Sequence, residues 1–187
     1  MLIRKAKPEE SKIIAPYLLL AMGDIIFNFI GEKSPEKATV WLESLIRERG
    51  NQYSFENCWV AEDENGIVAA ALVYDGGKLH DLRKPVANAI NAMFNKEFDP
   101  KNETQAGECY IDCVAVDPAR QGAGIGSKML RFLIDEYIHK NGETLGLLVD
   151  KENPAAKKLY LKLGFEIVGE KIFAGKKMEH LQLSRTD

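Results

Sequence analysis

Residues 117–130, with the sequence DPARQGAGIGSKML, contain the pattern that decides the fold. Asp117 and Pro118 form a turn signal, three glycines follow at alternate positions, and an amphipathic helical pattern begins directly after them. Glycine loses more backbone entropy on folding than any other residue, so this density indicates a loop with a special backbone. A glycine-rich turn that leads into a helix gathers N–H groups at the positive end of the helix dipole, which is typical of a phosphate site.

Two well-known phosphate-binding loops do not match the glycine spacing. The P-loop requires Gly-Lys-Ser/Thr where the helix begins, whereas the order here is Gly126, Ser127, Lys128. The dinucleotide-binding fingerprint has a third glycine three residues after the second, and Gly122 and Gly124 would put it at a serine. The loop therefore indicates a phosphate-containing ligand of another kind.

The segments around the loop predict an α/β domain with a mixed sheet. Residues 108–116 and 144–149 have strand character. Between them lies a helix whose apolar face consists of Met129, Leu130, Leu133, Ile134, Tyr137 and Ile138. Asn153 and Pro154 begin a further helix, which Gly164 ends, and two more strands follow at 165–168 and 178–183.

The N-terminal half adds a strand at residues 1–4, two helices and a β-hairpin. The helices begin near Pro8 and Pro35, and Ser34 is the expected N-cap of the second. Their predicted apolar stripes are, in turn, Ile13, Ile14, Tyr17, Leu18 and Ala21, and Val40, Trp41, Leu45 and Ile46. The hairpin joins strands at 58–61 and 67–74 through the turn Asp-Glu-Asn-Gly.

Residues 78–107 form a long connection between the hairpin and the strand before the glycine loop. Pro85 is followed by apolar residues at helical spacing, namely Val86, Ile90, Met93 and Phe94. We therefore expect a helical insertion here. Long connections in compact domains are often functional, but a tolerated surface insertion would have the same pattern, so the sequence leaves both open.

The totals indicate one soluble domain over residues 1–187. The net charge of −3 predicts no general attraction to nucleic acid or to anionic membranes. The longest apolar runs are too short to span a bilayer, and the N-terminus lacks a secretory signal pattern. Three cysteines, an odd number, argue against a disulfide framework, so a reducing cytoplasm is the expected location.

The pattern Gln121-x-x-Gly124-x-Gly126, after a strand that ends VAVDP, resembles the acetyl-CoA pyrophosphate loop of the GNAT superfamily of N-acetyltransferases. A second motif supports the resemblance: residues 153–160, NPAAKKLY, followed by Leu-Gly-Phe, resemble the GNAT segment whose Asn and Tyr face the pantetheine arm and the thioester. The two motifs lie within residues 108–168, about a third of the chain. The order of the predicted helices and strands extends the resemblance over most of the chain.

The resemblance implies a fold and a cofactor site. The fold is a GNAT-like mixed, mostly antiparallel central sheet with one parallel, splayed strand pair and helices on both faces. Acetyl-CoA would be the co-substrate, with its pantetheine lying in the splay. The implied cofactor-binding residues are Val114, Ala115, Val116, Gln121, Gly122, Ala123, Gly124, Ile125, Gly126, Ser127, Asn153, Ala156 and Tyr160. Arg120 and Lys128 would add positive charge near the phosphates.

Acyl transfer to an amine needs a neutral amine, a polarised thioester carbonyl and a stabilised thiolate. By resemblance, a strand-edge N–H near Val114 serves the carbonyl and Tyr160 donates to the sulfur. Helical register supports this, because Asn153, Ala156 and Tyr160 fall at i, i+3 and i+7 on one face. The alternative for Tyr160 is a role as a core aromatic.

The candidates for the base, or for binding the amine, are Asp112 and Glu108. The strand period of two places both on the same face as Val114. An acid at the centre of an apolar strand is uncommon without a functional or hydrogen-bonding reason. A hydrogen bond from Asp112 to a neighbouring loop is the alternative, and the resemblance does not decide between the two.

We expect no metal site. Cys109 and Cys113 lie four residues apart on one strand, about 13 Å, which is too far for a disulfide or a shared metal. Both are therefore expected to be core residues on the strand face opposite to Asp112. His80, His139 and His180 show no metal-ligand spacing.

The sequence thus predicts a cytoplasmic acyltransferase: an acetyl-CoA-dependent N-acetyltransferase that moves an acetyl group to a primary amine by direct attack. A noncatalytic acyl-CoA-binding or sensor module on the same fold is the alternative. The expected partner is a small-molecule or peptide amine, with no nucleic acid or membrane partner. A homodimer is compatible with the sequence, which carries no code for the acceptor's identity.

Overall fold

A computed structural model describes residues 1–185 and contains one seven-stranded sheet with the strand order β1-β2-β3-β4-β5-β7-β6. The strands are β1 (Leu2–Lys5), β2 (Cys58–Asp63), β3 (Gly66–Asp75), β4 (Cys109–Val116), β5 (Leu145–Asp150), β6 (Glu166–Phe173) and β7 (Lys176–Leu183). Within the described chain, β4 and β5 are the parallel pair and the other neighbours are antiparallel. The predicted mixed, mostly antiparallel sheet is confirmed.

Helices cover both faces of the sheet, as predicted. They are α1 (Ser11–Ile30), α2 (Pro35–Arg47), α3 (Leu79–Phe94), α4 (Ile125–Leu133) and α5 (Pro154–Lys162). The first three bury one face, and α4 and α5 bury the other. A π-helical segment, Ile134–Lys140, continues α4. The buried apolar residues of α1 to α4 thereby form two cores, one on each face of the sheet, and their burial is the main source of stability in this arrangement.

Helix α2 begins as its sequence predicts. The Ser34 hydroxyl accepts a hydrogen bond from the N–H of Lys37, and Pro35 occupies the first helical position. Trp41, Leu45 and Ile46 are buried, but Val40 is 54% exposed, so its assignment to the buried stripe was wrong. Ala38 and Leu42 complete the buried face instead.

Helix α1 is longer than its predicted stripe and contains a kink. Ile14 and Leu18 are fully buried, whereas Ile13 is 52% exposed and Ala21 is also exposed, so these two were wrongly placed in the stripe. The backbone of Met22 leaves helical geometry, with φ −124° and ψ 16°, next to Gly23. Beyond the kink, the buried residues of the second half of the helix are Ile26, Phe29 and Ile30.

The N-terminal helical segment, Pro8–Ile30, is long and apolar enough by length and composition to cross a membrane, with a mean hydropathy of 1.9. The sequence prediction that no stretch is long enough was therefore wrong. In the structure, however, α1 packs against α2 and against strands β3 and β4. Burial in this core accounts for its apolar face, as in the core helix of a globular protein.

The segment predicted as an insertion forms α3 and an irregular chain that leads to β4. Helix α3 begins at Leu79, before Pro85, so the proline lies inside the helix and not at its start. Val86 and Ile90 are buried as the spacing predicted. Asn95 ends the helix in the left-handed conformation with φ 50°, a conformation that asparagine tolerates better than most residues.

Strand β4 contains a β-bulge at Asp112. Leu72 pairs with Cys113 and Val73 pairs with Ile111, which leaves Asp112 as the extra residue. The bulge breaks the alternation of side chains, so Val114 packs on the α4 side while Asp112 hydrogen-bonds Gln52 on the other. The prediction that Asp112 and Val114 share a face was therefore wrong.

The same bulge separates the two strand cysteines. Cys113 is buried under α1, α2 and α3, whereas Cys109 packs against the cluster covered by α4. The prediction that both occupy one face was wrong for this reason. Burial raises the pKa of Cys109 to about 12, and a hydrogen bond to Glu143 acts in the same direction. This thiol is therefore protonated at neutral pH and a poor nucleophile.

Candidate active site

Strands β4 and β5 pair over only part of their length. The parallel ladder joins Cys109, Tyr110 and Ile111 to residues 145–147 and stops there. Beyond it, residues 113–116 pair only with β3 on their other side. Alternate backbone groups of β4 therefore point into a V-shaped gap between the strands, where an extended ligand can pair with them.

A cleft of about 750 Å³ occupies this gap. Its walls come from the α1 kink, from β4 and β5, from the start of α5 and from β7. Among the predicted site residues, the lining includes Asp112, Val114, Asn153, Ala156 and Tyr160. The structure thus brings together one candidate base, one candidate donor and the strand edge in a single cavity of ligand-binding size.

The glycine loop leads directly from β4 into α4. Gly122 and Gly124 have φ of +82° and +76°, values that residues with a Cβ rarely adopt. Gly124 is the N-cap of α4, and its carbonyl accepts the N–H of Lys128. The N–H groups of residues 125–127 belong to the first turn, where a helix offers donors without intrahelical partners. This end of α4 can therefore bind an anion.

The remaining predicted loop residues lie outside the cleft lining. Gln121, Gly122, Ala123 and Gly124 are exposed, and Ala115 is buried beneath the strand edge. Arg120 ion-pairs with Asp63, the last residue of β2. This contact anchors the loop to the hairpin, so the structure gives the Arg120 charge a partner within the protein.

Helix α5 presents one face to the cleft, as its register predicted. Asn153 is its N-cap, and its side-chain oxygen accepts the N–H of Ala156 at 3.1 Å. One turn after Ala156, the Tyr160 ring packs edge-on against Phe165, with ring centroids 5.9 Å apart. This contact fixes the ring while the residue still lines the cleft.

The environment of Tyr160 favours the protonated phenol. Burial raises the pKa of Tyr160, and the nearby Cys113 acts in the same direction. A protonated hydroxyl that lines a cleft is able to donate a hydrogen bond to a ligand.

Asp112 is a carboxylate of the cleft whose acidity is strongly altered by its surroundings. Burial raises the pKa of Asp112 to about 7, and the neighbouring Glu103 carboxylate acts in the same direction. Gln52 opposes the rise by donating a hydrogen bond to Asp112 at 3.2 Å, and the charge of Arg83 opposes it too. A carboxylate that titrates near neutrality is suited to general-base catalysis.

Glu108 lies elsewhere, in a buried cluster that connects three segments. Its carboxylate accepts hydrogen bonds from Thr104 and Gln182, both at 2.6 Å, and lies 2.8 Å from His180 Nε2. A Cβ at position 146 would overlap this carboxylate, so Gly146 makes room for it. These contacts tie the end of the insertion to β7, and Glu108 is absent from the cleft lining.

The sequence analysis missed four residues behind Asp112. Gln52, Tyr74, Arg83 and Glu103 surround its carboxylate with amide, phenol, guanidinium and carboxylate groups. Glu103 is fully buried although it belongs to a polar run of the sequence. Its burial arises because the insertion folds back on the sheet, and no local pattern indicates this. Within residues 1–185, no group of three or more His, Cys, Asp or Glu side chains is arranged to hold a metal ion.

Comparison with known proteins places this geometry in a family context. The family model described as "Acetyltransferase (GNAT) family" matches residues 26–165. A solved structure described as an acetyltransferase superposes with a TM-score of 0.82 and 27% identity, covering 98% of this chain and 99% of that one. The overall fold and the family match therefore agree.

Curated relatives match over shorter stretches. The N-alpha-acetyltransferase RimI of Mycobacterium tuberculosis is 42% identical over 62 residues, which are 33% of this chain and 37% of that protein. The spermine/spermidine N(1)-acetyltransferase of Bacillus subtilis is 32% identical over 94 residues, 50% of this chain and 60% of that protein. The chain thus spans less than two thirds of the length of the curated relatives it matches.

Proposed function

Because the chain belongs to the acetyltransferase (GNAT) family, we propose that it moves an acetyl group from acetyl-CoA to a primary amine by direct attack. The observation that carries the proposal is the cleft, in which the splayed strand edge, Asp112 and Tyr160 meet in about 750 Å³. The acceptor amine, the CoA donor and the residue roles below are parts of this proposal.

Acetyl-CoA would bind along the gap between β4 and β5. The first-turn N–H groups of α4 would hold the pyrophosphate, and the left-handed backbone at Gly122 and Gly124 shapes the approach to them. The open backbone of residues 114–116 would pair with the amides of the pantetheine arm. Asn153 and Ala156 would flank the arm from α5, where the small Ala156 leaves room.

Asp112 would accept the proton of the attacking amine, directly or through water. An alkylammonium has a pKa near 10, so the amine is mostly protonated at neutral pH and needs a base. A carboxylate with a pKa of about 7 is ionised above neutrality and remains a stronger base than an ordinary aspartate. The attack forms a tetrahedral intermediate, whose oxyanion a backbone N–H near Val114 would stabilise.

Tyr160 would stabilise the thiolate as the carbon–sulfur bond breaks. A phenol with a pKa near 10 and a thiol with a pKa near 8.5 make full proton transfer unfavourable by roughly 2 kcal/mol. The raised pKa of Tyr160 increases this difference. We therefore assign Tyr160 a hydrogen bond to the developing thiolate, with the phenol remaining protonated.

Glu108 was a second candidate for the base. Three hydrogen-bonding partners and the absence of Glu108 from the cleft lining favour a structural role in joining the insertion to β7. We propose that Asp112 alone acts as the base. The alternative function, a noncatalytic acyl-CoA sensor, would need the same cofactor groove but no titrating carboxylate beside it.

The relatives suggest which acceptors to test. One is named for acetylating an N-terminal amine and another for spermine and spermidine, so a peptide and a polyamine are reasonable first choices. The cleft has an acidic lining, which suits a cationic amine. It is formed by Asp24, Asp112, Asp150 and Glu152, with Lys176 as a counter-charge.

We propose a cytoplasmic location, which fits the three unpaired cysteines.

The test is acetyl-CoA turnover across a panel of amines. Free-thiol release is measured with spermidine, an alanine-initiated peptide, an amino sugar and free amino acids, beside calorimetric titration with acetyl-CoA. We expect binding, and thiol release that exceeds amine-free hydrolysis for at least one amine, with an acetylated product by mass spectrometry. Binding without turnover on any amine would favour the sensor. Absence of binding would overturn the proposal as a whole.

A further inference from the structure

A buried polar cluster lies directly behind Asp112, on the side away from the cleft. Its centre is Glu103, which is fully buried and ion-paired with Arg83 of α3. Tyr74 donates a hydrogen bond to Glu103 at 2.8 Å, and Gln52 donates to the same oxygen at 2.8 Å. Arg83 and Glu103 both come from the insertion, which thereby contributes charge to the interior beside the cleft.

The Gln52 amide connects Glu103 to Asp112. Its nitrogen lies 2.8 Å from Glu103 Oε1 and 3.2 Å from Asp112 Oδ2, so these two carboxylates are held within about 6 Å of each other. At this separation, like charges affect each other's ionisation strongly. Glu103 lies outside the cleft lining, while Asp112 belongs to it.

Hydrogen-bond accounting indicates that the cluster favours one proton on its pair of carboxylates, Asp112 and Glu103. An amide NH₂ has two hydrogens, but the Gln52 nitrogen has three oxygens around it, the third being Tyr74 OH at 2.9 Å. The Gln52 Oε1 atom is buried and has no hydrogen-bond partner among the described residues. When Asp112 is ionised, the oxygens compete for too few hydrogens, and a proton on Asp112 relieves the shortage.

The charged and titratable groups that face Asp112 come from every element packed against it. They are Tyr53 before β2, Cys58 of β2, Tyr74 of β3, Tyr110 and Cys113 of β4, Arg83 of α3 and Glu103 after it. Asp24 of α1 lines the same cleft. Burial raises the pKa values of the phenols and thiols in this set, so they are neutral near pH 7. The ion pair of Glu103 and Arg83 is therefore the charged part of the surroundings of Asp112 on this side.

We propose that Glu103, held by Arg83, Tyr74 and Gln52, is a positioning residue of the insertion that controls the protonation and orientation of Asp112. The relevance of this control to catalysis rests on the proposed function, in which Asp112 takes the proton of the amine. The insertion would then supply the electrostatic environment of the base from behind. Its negative charge disfavours an ionised Asp112, and the Gln52 hydrogen bond opposes it.

The direct test is the titration of Asp112 itself, in the full-length protein without acetyl-CoA. Aspartate carboxyl carbons are labelled with ¹³C, and the Asp112 resonance is the one missing from Asp112→Asn. In the native protein we expect a midpoint near pH 7. Glu103→Gln should lower this midpoint by about one pH unit or more, because it removes the neighbouring negative charge.

A second variant should move the midpoint in the opposite direction. Gln52→Met removes the donor that stabilises the ionised Asp112, so the midpoint should rise. A general loosening of the core would admit water and lower both midpoints, so opposite shifts distinguish a specific role from damage. Glu97→Gln, at an exposed position of the same insertion, removes the same charge and is the matched control, with no expected shift.

Glu103→Gln leaves the buried guanidinium of Arg83 without its carboxylate partner, and an unpaired buried charge can prevent the variant from folding. The pair Arg83→Met and Glu103→Gln removes both charges together and should still lower the midpoint, though less. A midpoint that matches the Glu97→Gln control in these variants, or shifts of the same sign in Gln52→Met and Glu103→Gln, would overturn the proposal.

The titration separates this inference from the proposed function. Opposite shifts without acetyl transfer to any amine would support the electrostatic role and contradict the enzyme. Turnover without these opposite shifts would support the enzyme and contradict the electrostatic role. In an active enzyme, the low-pH limb of kcat/KM with the amine found by the panel should follow the Asp112 midpoint in each variant.

Discussion

At the scale of single residues, the cleft combines two groups whose environments shift their acidity for different tasks. Asp112 lies on a β-bulge, which places the side chain of Val114 on the opposite face of the sheet from that of Asp112. Tyr160 lies on a helix face and is fixed by Phe165. The first is suited to accept a proton near neutrality, and the second keeps its proton and donates a hydrogen bond.

Replacement of Tyr160 by phenylalanine tests the donor. The variant keeps the ring and its packing on Phe165, so acetyl-CoA affinity should be unchanged. If the hydroxyl bonds the departing thiolate, kcat and kcat/KM should fall together with little change in KM. By analogy with oxyanion-hole donors, the fall should be about 10²–10³-fold. Steady-state thiol release measures it, and equal rates in both proteins would exclude Tyr160 from the chemistry.

The unusual acidity of Asp112 should also lower stability at neutral pH. An ordinary aspartate has a pKa near 3.9 in the unfolded chain, whereas the folded value is about 7. The folded state therefore binds the proton more tightly, and stability falls as the pH rises from about 4 to 7. At 1.36 kcal/mol per pKa unit, the full loss is as much as about 4 kcal/mol above pH 7.

Asp112→Asn removes this titration while keeping the shape and an oxygen for Gln52. We expect the variant to be more stable than the native protein at pH 8, by about 2–4 kcal/mol, with the gain shrinking toward zero at pH 4. Urea unfolding of the ligand-free proteins at several pH values provides the measurement. A gain independent of pH would show that Asp112 has an ordinary acidity in the folded state.

At the scale of elements, the glycine loop is the connection whose backbone conformation matters most. Gly124 adopts φ +76° and has no other atom within 4 Å of a Cβ built on it, so a substitution there meets backbone strain and not a clash. Gly124→Val should therefore distort the start of α4, where the anion is expected to bind.

We expect Gly124→Val to lose most of its affinity for acetyl-CoA. In the native protein, millimolar acetyl-CoA should raise the melting temperature by mass action. The variant should lose this shift and be destabilised in the absence of ligand. Gly50→Val, also at a left-handed position with open space but outside the glycine loop, is the matched control and should keep the shift. An identical shift in both variants would contradict the proposed role of the loop.

The insertion approaches the candidate site through polar residues and not through the apolar residues at the end of its helix. Met93 and Phe94 lie at the far end of α3 and line a separate groove with Val40 and Ala92, outside the cleft. The insertion contacts the candidate site instead through Arg83 and Glu103. The polar part of the insertion thus approaches the candidate base, while its exposed apolar residues do not.

At the scale of the whole molecule, the parallel strand pair implied by the family resemblance is present, and the order of the elements was predicted correctly from the sequence. Local signals were sufficient there, because the Ser34 cap, the hairpin turn and the glycine loop each specify their own geometry. The register of Asn153, Ala156 and Tyr160 also followed from helical periodicity. These features depend on residues that are close together in the sequence, so one sequence is sufficient to predict them.

The errors arose where contacts between distant segments decide the structure. A bulge at Asp112 depends on pairing with β3, so the strand period gave the wrong face for Val114. The burial of Glu103 depends on the insertion folding over the sheet. The cluster behind Asp112 joins residues between 20 and 60 positions apart, and no periodicity indicates it.

The most direct test of the central claim, that this cleft performs acetyl transfer, is turnover by the double variant Asp112→Asn with Tyr160→Phe. Thiol release is measured with the amine selected by the panel, beside acetyl-CoA affinity by calorimetry in the same buffer at pH 8. The account predicts an unchanged affinity and a rate reduced by at least about 10²-fold, because the base and the thiolate donor are both removed. Turnover equal to that of the native protein would contradict it.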